Sequence, residues 1–248
     1  MKRYSVDEER WHFNQVAASY EAHYAMNQPA ALRKVRRLAE EYADYLLVGA
    51  PGALIEIGAG TGFFTRSIAP LLGNRPLTAT DLSEGMLEVA GKSLPAEITN
   101  VRFQREDCLR LSFESGSVAG VVGHGILHHL PLEPVIAELA RVLKPGGRLA
   151  FYEPNILNPY VFLIKKVPFL RPPGDTAEET ALNPFSVRRL LRRYGFEPIS
   201  ITPCEFVLNG TPPALVPCCE MVSRALGKTP GLRLLGGSLR IMAEKSRN

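Results

Sequence analysis

The sequence predicts an α/β fold: an open, mostly parallel sheet wound by helical crossovers. Three observations carry this reading. Short β-rich runs alternate with segments of helical periodicity through the middle of the chain, the pattern that parallel strands and crossover helices produce. A glycine-rich turn joins the first of these runs to a helical segment, as a strand-to-helix turn in such a sheet requires. The 248 residues, 46% hydrophobic and 22% charged, supply one sizeable core and lack the bias of a fibrous or disordered chain. We read residues 1–248 as a single domain.

The elements follow in order. Residues 1–50 read as helical, and within LRKVRRLAEEYADYLL the stripe Leu32, Val35, Leu38, Ala39, Tyr42 and Leu46 lies opposite the charges. Pro51-Gly52 ends this segment. Strand candidates follow at 53–57 (ALIEI), 76–80 (PLTAT), 101–104 (VRFQ), 118–122 (VAGVV) and 148–153 (RLAFYE). After Glu153 the rhythm breaks: residues 154–184 are too long for a crossover loop and rich in proline and apolar side chains, so they read as an insertion. The helical segment FSVRRLLRRYGF, with Val187, Leu190, Leu191 and Tyr194 at helical spacing, leads to the strand candidate PISITPCEFVL. SLRIMAEK near the C-terminus supplies another, and residues 209–237 form a second insertion with room for a further helix or two.

Composition excludes several classes. MKRYSVDEERWHF has charges of both signs and cannot act as a signal peptide, and no stretch reaches the roughly 18 apolar residues of a spanning helix, so a cytoplasmic location is expected. Cys108, Cys204, Cys218 and Cys219 form no CxxC spacing; they read as reduced core thiols, and no metal site is expected. The net charge of +4 is mild. The cluster Arg188, Arg189, Arg192 and Arg193 lacks interleaved aromatic residues, so it reads as a solvated helix face and no nucleic-acid partner is expected.

The strongest local signal is Glu56-Ile57-Gly58-Ala59-Gly60-Thr61-Gly62, between an apolar strand and the helical pattern FFTRSIAPLL. Glycines let the backbone turn sharply and approach a ligand, while the following helix offers its first amides. Alone, this also suits a dinucleotide enzyme or a plain tight turn. Asp81, about twenty residues beyond the turn and at the end of the next strand, can accept from both ribose hydroxyls, and the two signals together indicate an adenosine ligand. Asp107-Cys108 follows VRFQRE; Asp107 is either a loop cap or an acceptor for an adenine amino group. The dehydrogenase fingerprint G-x-G-x-x-G would need glycine at position 63, where this chain has Phe63.

From residue 50 to 153 the chain resembles the class I S-adenosylmethionine-dependent methyltransferases, particularly the bacterial group acting on small molecules and lipids. Five segments carry the resemblance, in the family's order: IEIGAGTGFFT, TATDLSEGML, REDC, VVGHGILHHLP and RVLKPGGRLAFYEPN. It implies a Rossmann-like, doubly wound, seven-stranded sheet ordered 3-2-1-4-5-7-6 with strand seven antiparallel. Residues 1–50 would form a helical lid, 51–153 the cofactor-binding core, and 154–184 and 209–237 caps over the substrate. S-adenosylmethionine would be held by Glu56 and the backbone of Gly58, Ala59, Gly60 and Gly62 at its methionine portion and by Asp81 at the ribose. Leu82 and Met86 would cover the adenine faces, Asp107 and Cys108 its edge. His124 would line the pocket. Tyr20 or Tyr24 either contacts the methionine carboxylate or packs within its helix.

Methyl transfer from a sulfonium is an in-line displacement, so alignment and exclusion of water dominate. A neutral hydroxyl acceptor benefits from a base, and His128 or His129 is the candidate, with a structural part as the alternative. GHGI after strand four differs from the Asn/Asp-Pro-Pro-aromatic signature of nucleobase enzymes, and Asn158-Pro159-Tyr160 falls after strand five. No carboxylate trio suggests a catalytic divalent metal. The expected acceptor is a small, largely apolar metabolite, methylated on oxygen. The alternatives are a quinone or membrane lipid, and a protein that binds the cofactor without methylating. In the first insertion Tyr160, Val161, Phe162, Leu163, Ile164, Lys165 and Lys166, followed by Val167, Phe169 and Leu170, either pack as a plain lid, line an apolar pocket or contact a membrane peripherally.

Overall fold

The computed structural model describes residues 5–167, 169, 180–205, 214–229 and 231–247. Leu170, residues 170–179 and 209–213 of the two insertions, and residues 206–208 of the sixth strand candidate lie outside the described residues.

Seven strands form one sheet: β1 (Leu54–Ile57), β2 (Leu77–Asp81), β3 (Val101–Arg105), β4 (Val118–His124), β5 (Leu143–Pro154), β6 (Phe196–Cys204) and β7 (Ser238–Lys245). Their order is β3-β2-β1-β4-β5-β7-β6, as the resemblance implied. The first five pair in parallel, and β7 runs antiparallel to β5 and β6. Strand order reverses between β1 and β4, so a crevice opens there at the carboxyl ends of the strands.

Two apolar layers cover the faces, and strand periodicity assigns residues to each. Ile55, Ile57, Val121, Leu149 and Phe151 join one layer, while Leu54, Val122, Ala150 and Tyr152 join the other. Helix α1 (Val6–Val16), the short α2 (Tyr20–His23) and α3 (Pro29–Leu47) precede β1. Helix α3 starts with Pro29 in its first turn and buries Val35, Leu38, Ala39, Tyr42 and Leu46. Leu32, expected on that stripe, is exposed, and Ala31 takes the core side of the first turn. The Tyr42 hydroxyl donates to the Phe151 carbonyl at 2.6 Å, tying this helix to the centre of the sheet.

Helix α4 (Thr65–Ile68) gives way at Ala69-Pro70 to a 3₁₀ turn, where proline withholds an amide. Helix α5 (Glu84–Ser93) is capped by Ser83, whose hydroxyl accepts from the Met86 amide at 3.0 Å. Helix α6 (Leu132–Val142) joins β4 to β5. Strand β5 begins at Leu143, earlier than expected, because Leu143 already pairs with Val118; the register then shifts before Arg148 pairs with Gly120, and Gly146 lies in this irregular stretch with φ of 74°. Strand β4 continues to His124, two residues beyond its β-rich run, and still pairs with β5 there.

Past β5 come α7 (Pro159–Lys166), α8 (Pro184–Arg193) and α9 (Val216–Lys228). Helix α8 buries Val187 and Leu191. Its Arg188 donates to the Ile199 carbonyl and its Arg193 pairs with Glu133, so half of the arginine cluster braces neighbouring elements.

Candidate functional site

After Ile57 the chain turns through Gly58, Gly60 and Gly62, with φ of 66°, 54° and 78°. A Cβ at Gly58 would lie 2.5 Å from Ile126, so glycine is required there by space as well as conformation. The Gly60 amide donates to Asp81 Oδ2 at 2.8 Å and the Ser83 amide to Oδ1 at 2.9 Å, which knits the ends of β1 and β2 together. Burial holds the Asp81 carboxyl above its ordinary value, opposed by amide donation from Ser83, Gly60 and Leu82. With three amides donating, about one of the carboxylate's roughly four acceptor sites is left for an outside donor.

Glu56 lies beneath this turn. One oxygen accepts from the Thr65 hydroxyl at 2.8 Å; Oε1 is buried without a hydrogen-bond partner. Burial raises its pKa to about 8, with donation from Thr65 opposing and the nearby Asp81 charge adding to the rise.

Over the turn opens a cleft with about 930 Å3 of space, part of it open to solvent. Its walls include Gly58, Ala59, Gly60, Asp81, Leu82 and Met86. Asp107, Cys108 and His124 also line it. Asp107 does serve as a loop cap, accepting from the Leu109 amide at 2.9 Å, and it faces the cleft as well. Burial raises the Cys108 thiol to about 12, so this group stays protonated at neutral pH. His124 is stacked between Phe64 and Tyr152, centroids 5.6 and 5.2 Å away, and burial lowers its pKa to about 4; it is a neutral wall.

The N-terminal segment covers the cleft through Glu9, Phe13 and Tyr20. Two latches fasten it. Asn14 Oδ1 accepts from the Ser83 hydroxyl at 2.7 Å and the Gly85 amide at 3.0 Å. Glu21 accepts from the Thr61 hydroxyl at 2.7 Å and from Arg66 at 2.8 Å, so it grips the glycine turn itself.

Behind β4 lies an arrangement centred on Glu153, at the end of β5 and fully buried. Its Oε1 accepts from the Ile126 and Leu127 amides at 3.0 and 2.8 Å, and its Oε2 from the His128 amide at 3.3 Å. His128 Nδ1 lies 2.8 Å from the same Oε2. Because the carboxylate is held as an acceptor by these amides, Nδ1 must donate, which leaves Nε2 as the basic atom. The His129 ring lies 4.1 Å from that of His128, lines the cleft and meets Phe13 edge-on. Burial, then the His128 and Lys165 charges, hold its pKa well below the ordinary value.

The structure therefore brings most of the expected residues to one cleft. Four stand apart from its walls: His128, whose Nδ1 is held on Glu153, and Tyr24, Gly62 and Glu56. Tyr24 packs on Tyr20, 4.8 Å away, and it is Tyr20 that lines the cleft. Gly62 serves packing, since a Cβ there would approach Ala90 Cβ at 3.0 Å. Glu56 is under the floor. Sequence reasoning missed Glu153 as a partner for the histidines; an acid closing an otherwise apolar strand was the available signal. It also missed Asn14, Glu21 and Phe13 individually, although it placed a lid in that segment.

Residues 54–147 match a family model described as a methyltransferase domain. A demethylmenaquinone methyltransferase of Bacteroides fragilis is 30% identical over 144 residues, covering 57% of this chain and 58% of that protein. A malonyl-[acyl-carrier protein] O-methyltransferase of Halalkalibacterium halodurans is 33% identical over 145 residues, 56% of this chain and 52% of that protein. The chain thus spans little more than half the length of these curated relatives. Among solved structures, a methyltransferase from Thermotoga maritima, titled a possible histamine N-methyltransferase, superposes with a TM-score of 0.61 over 96% of this chain and 99% of that one, at 18% identity, a likeness of fold alone. Taken with the strand order and the glycine turn, these matches make residues 54–147 similar to a methyltransferase domain.

Proposed function

We propose that this protein transfers the methyl group of S-adenosylmethionine to an oxygen of a small, largely apolar acceptor, with His128 as general base. The observation that carries the reading is the His128–Glu153 pair, a histidine held in one tautomer by a buried carboxylate and packed on His129, which lines the cleft.

The residues present fit the cofactor. Glu56 and the backbone from Gly58 to Gly62 would hold its amino-acid portion, where the unpartnered Oε1 answers an ammonium. Asp81 would accept from the ribose hydroxyls, and Leu82, Met86, Asp107 and Cys108 would enclose the adenine. When bound, the cofactor supplies an electrophilic methyl group. The chain's own work is to align and to deprotonate. His128 Nε2 takes the acceptor's hydroxyl proton, Glu153 stabilises the resulting imidazolium, and Phe13, His124 and His129 exclude water from the cleft. The described residues of the two caps, 154–167, 180–184, 214–229 and 231–237, would provide the acceptor side.

The test is calorimetric titration with S-adenosylmethionine, S-adenosylhomocysteine and reduced nicotinamide cofactors, followed by an acceptor screen. Micromolar binding of the first two alone, then methyl transfer to phenolic or enolic acceptors, is expected. Binding of a nicotinamide instead overturns the reading.

A further inference from the structure

Helix α7 is built the wrong way round for a surface helix. None of its residues is buried, and Tyr160, Phe162 and Leu163 are 54%, 49% and 46% exposed. Phe169, just beyond it, is 86% exposed. Positions 159, 162, 163 and 166 share one helical face, so an apolar stripe ending in exposed Lys166 points away from the fold. A surface helix ordinarily turns such a stripe inward.

This helix is rooted in the structure. Asn158 caps it, accepting from the Val161 amide at 3.0 Å, and donates from Nδ2 to the Leu235 carbonyl at 2.6 Å. Asn155, buried at the end of β5, donates to the Leu234 and Gly236 carbonyls. The turn so gripped exposes Leu232 and Leu235, which extends the apolar surface beyond α7.

It also stands beside the acceptor end of the cleft. It begins six residues after Glu153, and the Thr180 amide, on the chain returning from it, donates to the His128 carbonyl at 3.2 Å. The Lys165 charge is felt at His129, which lines the cleft.

We infer that the outward face of α7 is a peripheral docking surface for an anionic lipid bilayer, set to present membrane-dissolved acceptors to the cleft. The charge pattern selects this occupant. Among the described residues from Pro154 to Phe169 the charged side chains are Lys165 and Lys166, with no Asp or Glu, so this stretch complements lipid phosphates. No helix among the described residues is long and apolar enough to cross a membrane, so contact is by the face alone. The purpose of the docking rests on the proposed apolar acceptor; the docking itself does not.

The experiment is flotation of the whole chain with vesicles of phosphatidylcholine and with vesicles of phosphatidylcholine and phosphatidylglycerol in equal parts, without cofactor. The expected result is binding to the anionic vesicles that falls with salt. Phe162→Ser with Leu163→Ser should abolish it, and Lys165→Gln with Lys166→Gln should weaken it about 25-fold, at about fivefold per basic residue. Circular dichroism checks that the variants fold. No flotation, or flotation indifferent to both double variants, overturns the proposal, as does a dimer in size exclusion that the serine variant dissolves without any vesicle binding. No flotation of the parent chain with its cofactor binding intact refutes the surface alone, whereas flotation of the parent without cofactor binding refutes the proposed function alone.

Discussion

Glu56 offers a quantitative handle on the site. Its folded pKa, about 8, lies above the ordinary carboxyl value of 4.5, so the folded chain binds this proton more tightly than the unfolded one. The stabilising contribution of the protonated group is therefore fully present below about pH 4.5 and is lost as the pH rises through about 8. At about 1.4 kcal/mol per tenfold change in proton affinity, the loss by pH 7 is about 3 kcal/mol. Glu56→Gln keeps the shape and an oxygen for the Thr65 hydroxyl but has no proton to lose. Urea denaturation of both proteins from pH 5 to 8.5 should show the parent losing stability relative to the variant by about that amount. Parallel curves would refute the reasoning. The same group should register the cofactor: an ammonium docking on Oε1 ionises the carboxyl, so binding at pH 7 releases close to one proton in the parent and none in Glu56→Gln, which calorimetry in buffers of differing ionisation enthalpy measures.

Other perturbations follow from the same geometry. Asp81→Ala removes both the anchor of the Gly60 and Ser83 amides and the acceptor for the ribose, and should weaken cofactor binding about 100-fold in calorimetry; unchanged affinity would sink the pocket assignment. His128→Ala and Glu153→Gln should both lower kcat by about 100-fold or more with cofactor affinity retained, while His129→Ala should act mainly on acceptor KM. Equal losses in all three would point to packing. Arg66→Ala frees Glu21 from one of its two partners and should speed cofactor dissociation by roughly tenfold in stopped flow; an unchanged off-rate would mean that this latch does not gate the cleft.

Much of this protein was legible in the chain itself. β-rich runs located all seven strands: β1 and β4, buried on both faces, are apolar over most of their length, while β7 alternates. The glycine turn and Asp81 were readable because positive φ and a strand-end carboxylate leave local residue signatures. The His128-His129 pair stood out for similar reasons. Strand order came from resemblance, since a crossover's destination is not written in local periodicity. Tertiary structure decided what depends on distant segments meeting. It chose Tyr20 over Tyr24 for the cleft wall, and set Glu153 against His128 across 25 residues of sequence. It tied Asn14 to Ser83, 69 residues away, and Glu21 to Arg66, 45 residues away. It also turned the stripe of α7 outward, which periodicity cannot foresee: spacing shows that a helix has an apolar face, and only the packed neighbours determine whether that face meets the core or the surroundings.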